Sequence, residues 1–249
     1  MALRLDCLRN ALVSSELLIT LPALNEANNL PEVLAALRAS WPESVLLVVD
    51  DASTDATAAV ARACGALVAT LPFRLGYGGA VQAGIKYGLK HRFKVVVTFD
   101  ADGQHDPADV GPLVEAVQGG ADLAIGSRAL ATESYRGGIA RRWGRSLFAS
   151  LARGLTGLHL TDPTSGLKAL GPRGQALFAL SRFPDRYPDA DALVLARRAR
   201  LTITERPARM RPSRNRRSMH GGIGTVAYVF NMLFSLFVAA TGRDLHRKE

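Results

Sequence analysis

Short apolar runs alternate with longer mixed segments over the first half of the chain. The runs have the composition of buried strands and occupy residues 17–21, 45–49, 66–70, a stretch from Val95, and 122–127. Segments with helical patterning separate them. Because strands that alternate with helices form β-α-β units, this pattern predicts an α/β fold with a mostly parallel central sheet and helices on both faces.

Capping and turn residues predict where the helices begin. Asn29 is expected to cap the first helix, and Thr54 or Asp55 the second. A glycine-rich loop over residues 73–79 precedes a helix predicted from Ala80 to about Lys90. In the second half, residues 167–170 and 201–205 are predicted strands, and a further helix is expected to open at residues 187–191.

Acidic residues follow directly after the strand that begins at Val95. Asp100 and Asp102 stand at the end of this strand, and ligands of open α/β sheets bind beyond the carboxyl ends of the strands. Two carboxylates at this spacing, without cysteine or paired histidine, suit Mg²⁺ or Mn²⁺ on a diphosphate. The alternative is an acidic loop that only caps the helix after Pro107.

Composition limits the location and the type of ligand. The chain has 249 residues, 48% of them hydrophobic, and only two cysteines, which indicates a reducing compartment. Charges within the first twenty residues interrupt any apolar core of a signal peptide, so we expect a cytoplasmic protein without an export signal. The net charge of +9 is concentrated in residues 197–217, where nine arginines stand against Glu205. Beside an apolar segment, such a stretch fits an anionic lipid surface at least as well as nucleic acid.

The apolar segment lies close to the end of the chain. No charge occurs from Gly221 to Gly242, and residues 223–240 are just long enough for a helix to span a bilayer. Its more polar residues fall on one stripe and both ends are basic, which favours a helix lying in the interface, peripherally or monotopically attached to the inner membrane face. A helix docked in the core or in a dimer interface is the alternative. We therefore divide the chain into a main α/β domain, 1–215, and a basic juxtamembrane segment with an apolar helix, 216–249.

Two nucleotide-binding classes lose their support at the glycine-rich loop. Gly76-Tyr77-Gly78-Gly79 is not followed by Gly-Lys-Ser/Thr, so it is not a phosphate-binding loop of the ATPase type. It does not follow the first strand, where the dinucleotide fingerprint stands. The loop is interpreted either as a segment that closes on a donor substrate or as a plain surface turn.

Five motifs in a fixed order carry a family resemblance. They are Pro22-Ala23-Leu24-Asn25-Glu26, Asp50-Asp51-Ala52-Ser53-Thr54-Asp55, Asp100-Ala101-Asp102-Gly103-Gln104-His105-Asp106-Pro107, Gly126-Ser127-Arg128 and Asp162-Pro163-Thr164-Ser165-Gly166-Leu167-Lys168. Together they resemble family-2 glycosyltransferases of the GT-A fold, and within them the polyprenyl-phosphate group typified by dolichol-phosphate mannosyltransferases. The resemblance extends over residues 17–217.

The resemblance implies a donor site built from the first three motifs. The residues expected to bind the nucleotide are Pro22, Ala23, Asn25, Glu26, Asp51, Asp100 and Ala101. Asp100, Asp102 and Gln104 are expected to hold Mg²⁺ or Mn²⁺ between the phosphates. Asn25 and Glu26 have an alternative role as a turn and a helix-start acid, and Asp55 is interpreted as a cap.

The resemblance also implies an acceptor site in the second half. The residues expected to contact the lipid phosphate are Arg128, Arg142, Ser146, Arg214 and Arg217, and catalytic roles are expected for Asp102, Arg128 and Arg142. Arginine suits this site because its fork binds phosphate in a bidentate manner and stays charged. The chain departs from the family before the apolar segment, where the usual glycine and lysine are missing.

The expected reaction moves mannose or glucose from a GDP- or UDP-sugar to a polyprenyl phosphate with inversion. A phosphate monoester with a second pKa of about 6 is already a nucleophile at neutral pH, so no base is needed. A saccharide-elongating transferase is the alternative and would need Asp162, Asp189 or Asp191 as base. A non-enzymatic anion- or nucleic-acid-binding protein is disfavoured because no aromatic residue lies from Ala190 to Met219. We expect a membrane surface and no nucleic acid as partner, and leave a homo-oligomer open.

Overall fold

The structure is a computed structural model that describes residues 16–131, 160–180 and 190–211. Within these ranges it contains seven strands: β1 Leu17–Ala23, β2 Val45–Asp50, β3 Leu67–Thr70, β4 Val95–Thr98, β5 Leu123–Ser127, β6 Lys168–Leu170 and β7 Ile203–Pro207. The helices are α1 Leu30–Ser40, α2 Thr57–Ala63, α3 Tyr77–Lys90, α4 Val110–Gln118, α5 Pro172–Phe178 and α6 Ala190–Arg198, with a short 3₁₀ turn at Pro107–Asp109.

The strands form one mixed sheet in the order β3-β2-β1-β4-β6-β5-β7. All neighbours are parallel except at β6, which runs antiparallel to both β4 and β5. The pairs Thr98 with Lys168 and Ile125 with Lys168 place the start of β6 at the edge where β4 and β5 end. The turn that enters β6 therefore lies beside the residues that leave β4.

Both faces of the sheet are covered, which confirms the predicted architecture. Ile19 and Val97 pack on one face with α1, α2 and α4, while Leu18 and Val96 pack on the other with α3, α5 and α6. Successive side chains of a strand point to opposite faces, so a strand buried on both sides must be apolar throughout. Each such side chain contributes about 1.5–3 kcal/mol on burial. This core fixes where the strand ends emerge.

The start of α3 differs from the sequence prediction. The helix begins at Tyr77 rather than Ala80, so Gly78 and Gly79 belong to its first turn instead of to a loop. Further along, a Cβ on Gly84 would stand 2.0 Å from the hydroxyl of Thr20 in β1. Glycine is normally a helix breaker, but here it lets the helix lie directly on the sheet. Tertiary packing thus overrides the local propensity.

The predicted cap at Asn29 is also wrong in detail. Asn29 stands before α1 but its side chain makes no capping bond; its amide donates to the Glu26 carboxylate at 2.6 Å. Asp55 does act at the start of α2, where its carboxylate accepts the Thr57 N–H at 2.9 Å. The Asn29 side chain therefore holds Glu26, which the family resemblance assigns to the donor site.

The predicted C-terminal segment lies outside the described residues. In the ranges that the structure describes, no helix is both long and apolar enough to cross a bilayer. Residues 223–240, and with them the proposed division at residue 215, stay predictions.

Candidate functional site

The acidic loop, residues 100–106, leaves the carboxyl end of β4 and carries the predicted metal ligands. Both oxygens of Asp100 are held: Tyr77 donates its hydroxyl to Oδ1 at 2.9 Å, and His105 Nε2 lies 3.1 Å from Oδ2. Because a carboxylate can only accept, the His105 proton belongs on Nε2. The backbone N–H of Gln104 donates to Asp102 Oδ1 at 2.9 Å. The loop therefore presents two carboxylates in a defined arrangement.

The turn that enters β6 packs against this loop at Gly166. A Cβ at Gly166 would stand 2.6 Å from Asp100 Oδ2 and 2.7 Å from the Tyr77 hydroxyl, closer than side chains approach. Thr98 in β4 donates its hydroxyl to the Gly166 carbonyl at 2.7 Å. Only a glycine at position 166 allows this close contact with Asp100. The contact brings together the third and fifth motifs, which are distant in sequence.

The two aspartates differ in their electrostatic environment. Burial by itself raises the pKa of Asp100, but hydrogen bonds from His105 and Tyr77 and the charge of Lys168 outweigh it and lower that pKa. Burial raises the pKa of Asp102, and the charge of Asp100 adds to the effect. Burial also raises the pKa of Glu26, and the negative charge of Asp102 raises it further. A divalent cation would stabilise this cluster of acids, since its charge would offset both burial and mutual repulsion.

The donor set fits Mg²⁺ or Mn²⁺ bound partly by substrate. In the described part of the chain, no group of three His, Cys, Asp or Glu side chains is arranged to hold a metal ion. Two carboxylates completed by phosphate oxygens and water are the usual surroundings of Mg²⁺ on a nucleotide. Asp100 and Asp102 would hold the ion here. A ligand role for the Gln104 side chain stays a prediction.

The predicted nucleotide residues converge at the ends of β1 and β2. Pro22 and Ala23 are the last residues of β1, and they pair with Val49 and Asp50. Beyond them, the Asn25 carboxamide accepts the Thr54 N–H at 2.9 Å, and the Asn25 N–H donates to the Ser53 hydroxyl at 2.9 Å. The first two motifs therefore form one connected surface beside the acidic loop.

Asp51, which the resemblance places in the nucleotide pocket, is engaged by the backbone that precedes α3. Its side chain is buried, and its two oxygens accept the N–H groups of Leu75 and Gly76 at 2.6 and 2.9 Å. Asp51 thus anchors the segment before α3, on which Phe73 is exposed. These two hydrogen bonds tie that segment to the end of β2, and contact between Asp51 and the nucleotide stays a prediction.

Arg128, the predicted phosphate ligand at the end of β5, is paired with Asp162. Its Nε lies 2.5 Å from Asp162 Oδ2, and one terminal nitrogen lies 2.7 Å from Oδ1. Asp162 is fully buried and also accepts the Arg128 N–H at 3.0 Å. With both oxygens engaged by an arginine, Asp162 has the environment of a positioning group rather than that of a general base.

Several residues of the site carry no pattern in the sequence that would have identified their roles. The Glu205 carboxylate in β7 accepts the N–H groups of Thr161 at 2.8 Å and Asp162 at 2.9 Å, and so fixes the turn that holds Arg128. Lys168 is buried and donates to the Ser165 carbonyl at 2.5 Å. His105 and Lys168 stand inside quoted motifs, but only the fold shows that they face Asp100.

The remaining predicted residues lie outside the described part of the chain. These are Arg142, Ser146, Arg214 and Arg217 of the acceptor site, Asp189, and the side chain of Asp191. Their roles stay predictions. Asp102 and Arg128 are therefore the two predicted catalytic residues for which the structure supplies surroundings.

Known proteins resemble the chain in sequence. The family model described as "Glycosyl transferase family 2" matches residues 18–169. Undecaprenyl-phosphate mannosyltransferase of Micrococcus luteus is 40% identical over 161 residues, which are 61% of this chain and 65% of that protein. Polyprenol monophosphomannose synthase of Mycolicibacterium smegmatis is 37% identical over 61% of this chain and 60% of its own length. These two matches thus span less than two thirds of the relatives.

A solved structure resembles the chain over nearly its whole length. Glucosyl-3-phosphoglycerate synthase of Mycobacterium tuberculosis, in complex with phosphoglyceric acid, has 25% sequence identity and a TM-score of 0.69. The match covers 95% of this chain and 84% of that one. The same enzyme has also been solved with Mn²⁺, UDP-glucose and phosphoglyceric acid, at a TM-score of 0.68. The GT-A-like fold expected from the motifs is thereby confirmed.

Proposed function

The chain belongs to glycosyl transferase family 2, and we propose that it moves a sugar from a nucleotide-sugar donor to a polyprenyl phosphate at a membrane surface. The observation that carries the proposal is the meeting of the acidic loop with the turn before β6. Gly166 touches Asp100, while Asp162 of the same turn holds Arg128. A donor-phosphate site and an acceptor-phosphate arginine thereby belong to one unit.

The donor side uses fixed acids. Asp100 and Asp102 would hold Mg²⁺ or Mn²⁺, which when bound screens the diphosphate and stabilises the departing nucleoside diphosphate. Tyr77 and His105 keep Asp100 ionised and in place, so little reorganisation is needed when the donor binds. Pro22, Ala23, Asn25, Glu26 and Ala101 would contact the base and ribose, with Asp51 holding the adjoining segment.

The acceptor side uses positive charge and requires no base. The lipid phosphate is already anionic, so Arg128 would bind and orient it for in-line attack on the anomeric carbon, with inversion. Arg142 and Ser146 would complete this site, and Arg214 and Arg217 would meet phosphate at the membrane. The pairing of Asp162 with Arg128 supports this scheme, because it disfavours one candidate base of the saccharide-elongating alternative. Two relatives, an undecaprenyl-phosphate mannosyltransferase and a polyprenol monophosphomannose synthase, support the lipid acceptor.

The test is sugar transfer with defined substrates. Radiolabelled GDP-mannose, UDP-glucose and related donors are incubated with polyprenyl phosphate, phosphoglycerate or an oligosaccharide, with Mn²⁺, with Mg²⁺ and with EDTA. We expect one donor to label the lipid in a metal-dependent manner, and an Asp102→Asn variant to abolish labelling. Labelled phosphoglycerate or oligosaccharide without labelled lipid would refute the proposed acceptor while leaving the family assignment intact.

Membrane attachment is the accompanying proposal for residues 216–249. The basic residues before 223–240 and the absence of charge within that segment support a helix that lies in the interface. Flotation of the full chain with vesicles containing anionic lipid tests it. We expect binding that weakens with salt, whereas no flotation at any lipid composition would refute attachment.

A further inference from the structure

The segment that follows β7 runs from the end of β5 to the acidic loop. We call residues 208–211 the strap. The Ala208 N–H donates to the Ser127 carbonyl at the end of β5 at 3.0 Å, and the Arg211 N–H donates to the Gln104 carbonyl at 2.8 Å. Between these two bonds, Met210 and His105 form an isolated antiparallel bridge. The strap therefore connects the residue before Arg128 to the acidic loop.

Two arginines of the strap pair with aspartates beyond the metal ligands. The Arg209 N–H donates to Asp109 Oδ2 at 2.6 Å, and its Nε lies 3.6 Å from Oδ1. Arg211 donates to Asp106 Oδ2 at 3.0 Å. Asp109 is buried, whereas Asp106 is partly exposed. Removal of Arg209 leaves the buried carboxylate of Asp109 without its cation. The Arg209–Asp109 pair is therefore expected to stabilise the structure more than the Arg211–Asp106 pair does.

The part of the loop that the strap holds is the part that orients the ligands. Gln104 and His105 lie between the metal ligands and the paired aspartates. The Gln104 N–H bonds Asp102, and the His105 ring bonds Asp100. Outer contacts of this kind commonly change metal affinity by about 10- to 100-fold when removed. A movement of residues 104 and 105 would therefore disturb the hydrogen bonds that orient the carboxylates of Asp100 and Asp102.

We propose that Arg209 and Arg211 are positioning residues, which hold the acidic loop in its metal-binding form through the strap. The proposal rests on the proposed function only for the metal site at Asp100 and Asp102. It assigns the strap, which carries no expected ligand or catalytic residue, a role in setting metal affinity. Neither arginine contacts a reacting group; each acts through the residues that orient the ligands.

The experiment measures Mn²⁺ binding to the full chain, without an acceptor. Free Mn²⁺ is followed by electron paramagnetic resonance, with and without UDP or GDP, for wild type and the Arg211→Met, Arg211→Lys and Arg209→Met/Arg211→Met variants. We expect about threefold weaker binding for Arg211→Met, because its pair is partly exposed, and about tenfold for the double variant. Arg211→Lys keeps the charge and should recover most of the affinity.

Arg173→Met is the matched control. Arg173 is similarly exposed and pairs with Asp122 at 2.9 Å, at the start of β5 and away from the acidic loop. A double-mutant cycle with Asp106→Asn should show that Arg211 acts through Asp106, since coupled residues are not additive. Thermal unfolding of each variant identifies those that lose affinity only through unfolding.

Three results would overturn the inference. They are unchanged Mn²⁺ affinity in the folded double variant, an equal loss in Arg173→Met, or a wild-type chain that does not bind Mn²⁺ with any nucleotide. A different result bears only on the proposed function. A wild type that binds Mn²⁺ and loses it through the strap variants, but labels no lipid, supports the inference and refutes the lipid acceptor.

Discussion

Replacing Gly166 with alanine tests whether the turn before β6 is fitted to the acidic loop. The new Cβ would stand 2.6 Å from Asp100 Oδ2, and ordinary contact begins at 3.4 Å, so one group must move by about 0.8 Å. Asp100 cannot move this far and keep its bonds to Tyr77 at 2.9 Å and His105 at 3.1 Å. Overpacking of this kind costs about 1–3 kcal/mol of stability. A displacement of about 1 Å at reacting groups can cost about 100-fold in rate.

The assay compares sugar transfer, Mn²⁺ affinity and thermal unfolding in the wild type and in Gly166→Ala. We expect transfer to fall about 100-fold and Mn²⁺ binding to weaken, in a protein that still unfolds cooperatively. Gly111→Ala is the control. Gly111 lies in α4, where a Cβ meets only the Trp41 ring at 3.7 Å, and the change should stabilise the helix by about 0.5–1 kcal/mol. Gly166→Ala with wild-type transfer and metal affinity would refute the close fit.

Three further predictions follow from the same contacts. In EDTA at pH 7, Asp102→Asn should raise the unfolding temperature and Asp100→Asn should lower it. Because the pKa of Asp102 is raised in the folded state, its charge destabilises the fold as the pH rises above 3.8, the ordinary pKa of an aspartate. The lowered pKa of Asp100 gives stability that is lost as the pH falls below that ordinary value. If both variants shifted the unfolding temperature in the same direction, the opposite pKa shifts of the two aspartates would be contradicted. At low pH both variants should approach the unfolding temperature of the wild type. Glu205→Gln should lower the free energy of unfolding by about 1–3 kcal/mol, because the N–H groups of Thr161 and Asp162 would be poorly paired. Urea unfolding measures this loss, and the control Glu115→Gln, on the exposed face of α4, should show no measurable change. EDTA should abolish sugar transfer in wild type and added Mn²⁺ should restore it; transfer that persists in EDTA would exclude the proposed metal role.

The elements of the fold and the acids of the site were predictable for a local reason. Apolar runs identify strands buried on both faces, and the β-α-β order brings their carboxyl ends to one edge. The position of Asp100 and Asp102 at that edge is therefore predictable from the sequence. The start of α3 is not predictable in this way, because Gly78 and Gly79 favour a loop, whereas packing against β1 favours a helix.

Pairings between distant segments were not predictable from local patterns. No local pattern shows that Arg128 pairs with Asp162, or that Asp51 accepts hydrogen bonds from the backbone before α3. Each of these contacts depends on the side-chain positions that the sheet register imposes. A residue type shows what a side chain can bind, but its partner depends on the surrounding fold.

The α/β class, the family and the chemistry available at the strand ends can be inferred from the sequence alone, because they depend on hydrophobic periodicity and on short motifs. Which charges are neutralised, and which carboxylates are held by hydrogen bonds, depends on the folded chain. The antiparallel β6 brings Gly166 and Lys168 to Asp100, and β7 brings Glu205 to the Asp162 turn and the strap to Gln104. Burial and pairing set the energy of a charge, and both are properties of the whole fold rather than of any one segment.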